Sequence, residues 1–279
     1  MSLTLAIAGL TVKEAVRRRL VLAFVAISAV IVGLSAWGFD RLTRANNLTS
    51  GETHIAVPDA LILFMFMFSF VVALSASAIA SPSISMEVES GVLMTVVTRP
   101  IRRTEVLLGK WLGLAALLAG YAIVVCALEF AVVDWVSGYL PPNPVVATVY
   151  LLTEGTLLLT LALFLSTRMP VIAAGVIGVA VFGAGWLAGV VGTLGTTFHI
   201  SALRTLGAVG RVLIPTDGLW HGAIYYLEPS ALTSGQLVEA GNVPFYALTA
   251  PSWPYLLWVV CWFLIVMTAS VISFERREL

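Results

Sequence analysis

Glu154 and Glu129 each stand inside an otherwise apolar run, and a carboxyl group in such a place needs a reason. At the centre of a bilayer a charge costs on the order of 2.5–3.5 kcal/mol, so such a group is protonated, paired or turned to the interior of a helix bundle. Two roles are open for each. It can line a polar path, or it can bond across helices to a hydroxyl; for Glu154 the candidates are Thr153, Thr156 or Thr160 on a neighbouring copy, or Ser75 or Ser77. Catalytic constellations fare worse. None of His54, His199 and His221 begins a His-Glu-x-x-His zinc motif, and no apolar run carries a central aspartate for an aspartyl protease. Gly33-Leu34-Ser35 imitates a serine-nucleophile triplet, but no histidine base lies in any apolar run. Cys126 and Cys261 have neither disulfide-framework nor metal-knuckle spacing. Gly109-Lys110 is followed by Trp111 and preceded at the decisive position by Thr104 rather than glycine, so no phosphate-binding loop is present. The expectation is a chain that is not an enzyme and binds no metal or cofactor.

The densest charge lies between Ser81 and Lys110. The stretch starts at Pro82 and runs through Glu87, Glu89, Ser90, Gly91 and Leu93 to Arg99-Pro100, then Arg102-Arg103-Thr104-Glu105 and Leu108-Gly109-Lys110. A helix between Pro82 and Thr98 is expected to stop at Arg99, because a residue before proline is pushed out of the α region. Thr104 suits an N-cap, with the Glu105 charge placed well against the helix dipole. Leu93, Val96 and Val97 leave an apolar strip that needs a docking place. A solvated loop with a helix start at Thr104 is the plainer alternative.

These residues must be held by something, and composition says what. The chain of 279 residues is 59% hydrophobic and 11% charged, with mean hydropathy +1.00. Soluble chains carry about 25% charge. The solvent is therefore mostly lipid, and a formal net charge of zero argues against nucleic acid as a partner. A hydrocarbon core about 30 Å thick takes about 20 apolar residues in a helix. Six stretches qualify: 20–39, 60–80, 111–133, 145–165, 171–191 and 255–272. They lack the alternation of a transmembrane barrel. Eleven of the fifteen Lys and Arg fall in the terminal segments, in 81–110 and at Arg168, against four on the other side. By the positive-inside rule both termini are cytoplasmic in a multi-pass protein of the cell membrane. The expected fold is all-α: one membrane domain over 1–279, six transmembrane helices, and no cleaved signal.

Three further segments carry expectations. Residues 1–19 place Leu3, Ile7 and Leu10 at helical spacing, with Lys13, Glu14, Arg17, Arg18 and Arg19 at the far end. That reads as an interfacial helix on the cytoplasmic leaflet or as a plain basic anchor, and the two are compatible. Gly109/Gly113 and Gly185/Gly189 form small-residue steps that let helices approach closely. Residues 192–254 form an external loop long enough to hold an interfacial or re-entrant helix around Arg204 and Arg211. Pro215-Thr216-Asp217 then signals a helix start, and Trp220, His221, Tyr225 and Tyr226 read as an aromatic belt at the outer headgroups.

The run from Glu89-Ser90-Gly91 through Arg99-Pro100 and Arg103-Thr104-Glu105 to Gly109-Lys110, set between the second and third spans, resembles the motif of ABC-2 type transporter permeases. Within them the chain is most similar to the six-span branch that contains the NosY-like permeases. The resemblance implies that this segment is a coupling helix, seated on a separate ATP-binding subunit. Its contact residues would be Glu87, Glu89, Ser90, Gly91, Arg99, Pro100, Arg102, Arg103, Thr104 and Glu105, with the N-terminal helix helping to hold the same subunit. It also implies an exporter working by alternating access, with ATP and Mg bound by the partner and a second permease copy, identical or not. A membrane-embedded enzyme, a passive channel and an assembly factor are the alternatives.

Overall fold

Backbone groups in hydrocarbon must be satisfied within their own segment, and a chain of continuous apolar runs meets that demand with helices. The computed structural model describes residues 3–44, 50–89, 102–228, 247 and 249–276. Among these residues the regular elements are α1 (Leu3–Val16), α2 (Arg19–Arg44), α3 (Ser50–Ala80), α4 (Pro82–Glu89), α5 (Arg103–Ser137), α6 (Pro144–Ser166), α7 (Val171–Thr197), α8 (Ser201–Leu213), α9 (Thr216–Leu227) and α10 (Trp253–Glu275). All are helical, and six of them (α2, α3, α5, α6, α7 and α10) are long and apolar enough to cross a membrane. The six expected spans are all present, and the molecule is a polytopic membrane protein.

More than half of the apolar stretch of α3 and α6 is buried within the chain, but less than a quarter of that of α2, α7 and α10. The first two are the central posts; the others show their outer faces to lipid, with Leu22, Val30, Trp37, Val176 and Leu264 exposed. Helix α5 has 35 residues, about 52 Å at 1.5 Å each, so it overshoots the hydrocarbon. It stops at Gly138, whose φ of 68° is the left-handed conformation of a helix C-cap and whose N–H bonds to Asp134 O. At its other end, the base of α5 meets α1, α4 and the end of α10 in one cluster of Ile84, Val106, Leu107, Leu163 and Phe274, with Ile7 against it. Both termini thus share one end of the bundle, called here the terminal end.

The fifth span does not stop near residue 191. Helix α7 continues to Thr197, turns through His199 at φ 58°, and the chain folds back along it as α8. A seat of small residues on α7 makes this possible. Gly185, Gly189, Gly192 and Gly195 fall on one face, and a Cβ on any of them would meet Ile214 and Thr216, Asp217, Gly207, or Leu203 and Arg204 respectively. Such contact of backbones is what small residues permit in lipid. After Pro215, α9 runs back toward the far end, so α8 and α9 form a re-entrant hairpin. Its turn lies at the level of Gly185, near the middle of α7.

A helix end at that depth leaves carbonyls that water cannot reach. The last span supplies their donors: Trp258 Nε1 to Val212 O and Trp262 Nε1 to Leu213 O, both 2.9 Å, and the Tyr255 hydroxyl to Pro215 O at 2.6 Å. The expected aromatic belt on α9 is not one. Trp220 is 2% exposed, against Phe66, and Tyr226 stacks on Tyr150. Because α9 is threaded between spans, these rings fill the core.

Candidate functional site

At the terminal end, the short helix α4 is held from three sides. Ile84 is fully buried. Ser85 Oγ shares its proton between the carbonyls of Ser166 and Met169, at 2.8 and 2.7 Å, tying α4 to the turn between α6 and α7. Lys110 reaches across from α5. Its Nζ donates to Ser83 O and pairs with Glu87 Oε1, each at 2.5 Å, and the residue is only 6% exposed. A lysine this deep needs such a partner, since an isolated buried charge is costly. The pair fixes α4 to the third span as a rigid bracket.

The base of α5 follows a slightly different plan from the sequence. The helix starts at Arg103 with Arg102 as N-cap, so Thr104 lies inside the first turn rather than capping it. The reason is Glu105, whose Oε2 accepts from the Arg102 N–H at 3.4 Å and fixes the cap two residues earlier. Arg103 turns inward: its Nη1 donates to Phe274 O and Glu275 O at 3.3 and 3.1 Å, closing the last carbonyls of α10. Arg168 Nε and Thr167 Oγ1 likewise hold Ser273 on the same span. Arg102 is exposed, and Met86 is a bare apolar residue on α4. Of the other expected contact residues, Ser90, Gly91, Arg99 and Pro100 lie outside the described residues, as does the side chain of Glu89, which ends α4.

Helix α1 packs directly on α5. A Cβ on Gly109 would fall 2.8 Å from Ile7 Cβ, and one on Gly113 would fall 2.6 Å from Ala8 O. The small step on the third span is therefore the seat of α1. Thr11 and Ala15 are buried on that side, with Ile7 beside them, while Leu3, Leu5, Leu10 and Val16 stay exposed. The apolar residues of α1 thus fall on two faces, one for α5 and one open. Lys13, Arg17 and Arg19 are exposed at its end, and Glu14 pairs with Arg18 at 2.5 Å.

Inside the bundle, Glu154 is 3% exposed on α6 and accepts a bond from Ser69 Oγ of α3 at 2.9 Å. The hydroxyl is on the second span, one to two turns before the serines considered from sequence; Ser77 instead lies against Gly178. Glu129 on α5 is fully buried and accepts from Ser35 Oγ of α2, also at 2.9 Å. Both carboxyl groups face the interior of one copy.

The re-entrant hairpin carries the third polar group, which sequence reasoning treated only as a helix start. Asp217 is 3% exposed at the first turn of α9 and meets Arg211 Nε through Oδ2 at 2.8 Å. His221 Nδ1 lies 2.8 Å from the Asp217 carbonyl oxygen, which can only accept, so Nδ1 carries the proton. The spacing of Asp217 and His221, four apart in a helix, was the available signal. At the far end, Glu228 closes α9 and receives the Ala247 N–H at 3.2 Å. Burial, then the Asp59 charge, pushes its carboxyl up to about 7, although the Ala247 bond opposes the shift. Tyr139, whose hydroxyl donates to Leu227 O, is pushed up by burial and by the Glu228 charge.

No curated protein matches the chain. The sequence profile of the family described as "ABC-2 family transporter protein" matches residues 5–279. That range takes in all but the first two residues of α1, all six spans, the α4 bracket and the re-entrant hairpin. With no more than the first four residues outside the match, the chain belongs to the ABC-2 family of transporter proteins and is a membrane component of an ABC transporter.

Proposed function

We propose that the chain is the permease subunit of an ABC exporter in the six-span NosY-like branch, driven by a separate ATP-binding subunit that binds ATP and Mg. The observation that carries the reading is the bracket at the terminal end. Helix α4 is short, is set between the second and third spans, and is fixed by Lys110 and Ser85 to α5 and to the α6–α7 turn. A push on such an element moves three spans together instead of bending a loop. The base of α5 presents Arg102, and α4 presents Met86 and ends at Glu89, which supports a charged rim around an apolar contact. In this reading the terminal end is cytoplasmic, two copies face each other, and nucleotide-driven closure of the paired ATPases tilts α3 and α5 by alternating access.

The test is retention of a cognate ATP-binding subunit when the two are co-expressed and the permease is purified. Glu89→Arg and Arg102→Glu are expected to weaken retention at least tenfold while leaving membrane insertion unchanged. Arg103→Ala is a poorer probe because Arg103 also closes α10. If both charge reversals retain the subunit as wild type does, this docking face is wrong.

A further inference from the structure

A cavity of about 580 Å³ opens at the far end between α7, the hairpin and the start of α10. Among its lining residues are Arg204, Arg211, His221 and Tyr255. Arg204 and Arg211 are seven apart on α8, two turns of one face and about 10 Å in rise. The glycine contact between α7 and α8 sets that face at the cavity wall. Each guanidinium is anchored by its Nε alone: Arg204 to Gly195 O at 3.1 Å, Arg211 to Asp217 Oδ2 at 2.8 Å. Among the described residues the terminal nitrogens of both have no protein acceptor, which leaves two planar donor forks for a ligand.

Among the described residues the charge balance around the cavity is positive. No acidic side chain among the described residues lines it. Glu228, which bonds the lining residue Ala247, is 3% exposed, and Asp217 has a side chain 2% exposed and turned against α7, where a Cβ on Gly189 would collide with it. Asp217 neutralises one of the two arginines and leaves the other. A third feature is the start of α10. Its N-cap Ser252 lines the cavity and makes no side-chain capping bond, so the positive end of a 23-residue helix opens there uncapped. Two forks, one excess positive charge and an uncapped helix start converge on one space.

We propose that this cavity is a binding site for a phosphate-type oxyanion, held by the terminal nitrogens of Arg204 and Arg211 and by the first turn of α10. Arginine forks match the paired oxygens of such a group better than any other side chain. The site does not depend on ATPase docking, and its occupant need not be the exported molecule. Two sources share the chemistry: the headgroup of an anionic lipid in the far leaflet, and free phosphate.

The experiment uses the full chain in nanodiscs with two probes. One is equilibrium binding of radiolabelled inorganic phosphate in phosphatidylcholine nanodiscs. The other is native mass spectrometry of lipid retained after extraction from nanodiscs of equal parts phosphatidylglycerol and phosphatidylcholine. The expected result is saturable occupancy by at least one probe, weakened roughly tenfold to a hundredfold by Arg204→Gln, as for a lost charge-assisted bond. Phosphate binding identifies the free anion; selective phosphatidylglycerol retention alone identifies the headgroup. Ala208, exposed on the same wall, gives a variant that leaves both arginines in place. Ala208→Glu is expected to abolish occupancy, and Ala208→Gln to keep it. Failure of both probes to bind wild type overturns the site, and so does binding that survives both Arg204→Gln and Ala208→Glu.

Discussion

Replacing Lys110 with Met tests the bracket most directly. The change keeps the length and the apolar stem but removes the ammonium that bonds Ser83 O and Glu87 Oε1, both at 2.5 Å. Breaking a fully buried ion pair costs about 3–5 kcal/mol, whereas an exposed pair is worth about 0–1 kcal/mol. The Lys110 side chain is 8% exposed and that of Glu87 28%, so Glu87 can turn partly to water once the ammonium is gone. Ser83 O also retains the option of an α-helical partner. The expected cost is therefore intermediate, about 2 kcal/mol, and it falls on the docking of α4 rather than on the six-span bundle. At about 1.4 kcal/mol per factor of ten, the undocked population of α4 rises roughly 30-fold. Hydrogen exchange of the amides in 83–89, with the protein in nanodiscs, reads this locally, since exchange follows the local opening free energy. Glu87→Gln should produce part of the same effect, and the double variant should cost less than the sum of the two. Exchange that rises less than about twofold in Lys110→Met, or costs that simply add, would refute the bracket. If the bracket carries the stroke, nucleotide hydrolysis by a bound partner should persist in Lys110→Met while transport falls.

Three other outcomes follow from the geometry. Gly113→Ala sets a methyl group 2.6 Å from Ala8 O and should loosen α1 by about 1–3 kcal/mol, seen as faster tryptic cleavage at Arg17–Arg19; Gly120→Ala, which meets nothing within 4 Å, should not. Glu154→Gln keeps an acceptor for Ser69 and should unfold like wild type in mixed micelles, whereas Glu154→Ala strands a buried hydroxyl and should lose about 1–3 kcal/mol. Glu228 is raised to about 7 in the folded protein, so between its ordinary range and pH 7 the folded state holds more protons than the unfolded one, and stability falls as pH rises through that window. Thermal unfolding should occur at a lower temperature at pH 8 than at pH 5, and Glu228→Gln, which still accepts the Ala247 N–H, should flatten the difference.

The spans were legible because lipid imposes a length and a composition on each, and nothing later in folding can relax either demand. Local rules also placed the helix start at Pro215-Thr216-Asp217. What was not legible depends on partners far away in the chain. The Lys110–Glu87 pair links positions 23 apart in the chain. The small faces at Gly109/Gly113 and Gly185/Gly189 announced close packing, but not that their occupants would be α1 and the hairpin. The aromatic residues of α9 were misread for a related reason. A belt and a buried core have the same composition, and only the threading of α9 between α3 and α6 separates them. The start of α5 shifted because Glu105, not Thr104, supplies the capping group.

The donors that close the hairpin turn lie on α10, forty to forty-nine residues after the carbonyls they satisfy. Ribosomes deliver about 5–20 residues per second, so the hairpin waits roughly 2–10 s for them. During that interval the turn cannot rest dry between α7 and its neighbours, because its carbonyls would be bare in hydrocarbon. It must linger near the membrane surface, where water serves as acceptor and donor, and sink onto the glycine seat only when the last span arrives. Assembly of the far end is therefore a closing step timed by the end of translation. A chain halted before Trp253 would insert its first five spans and leave this hairpin without the donors of its turn.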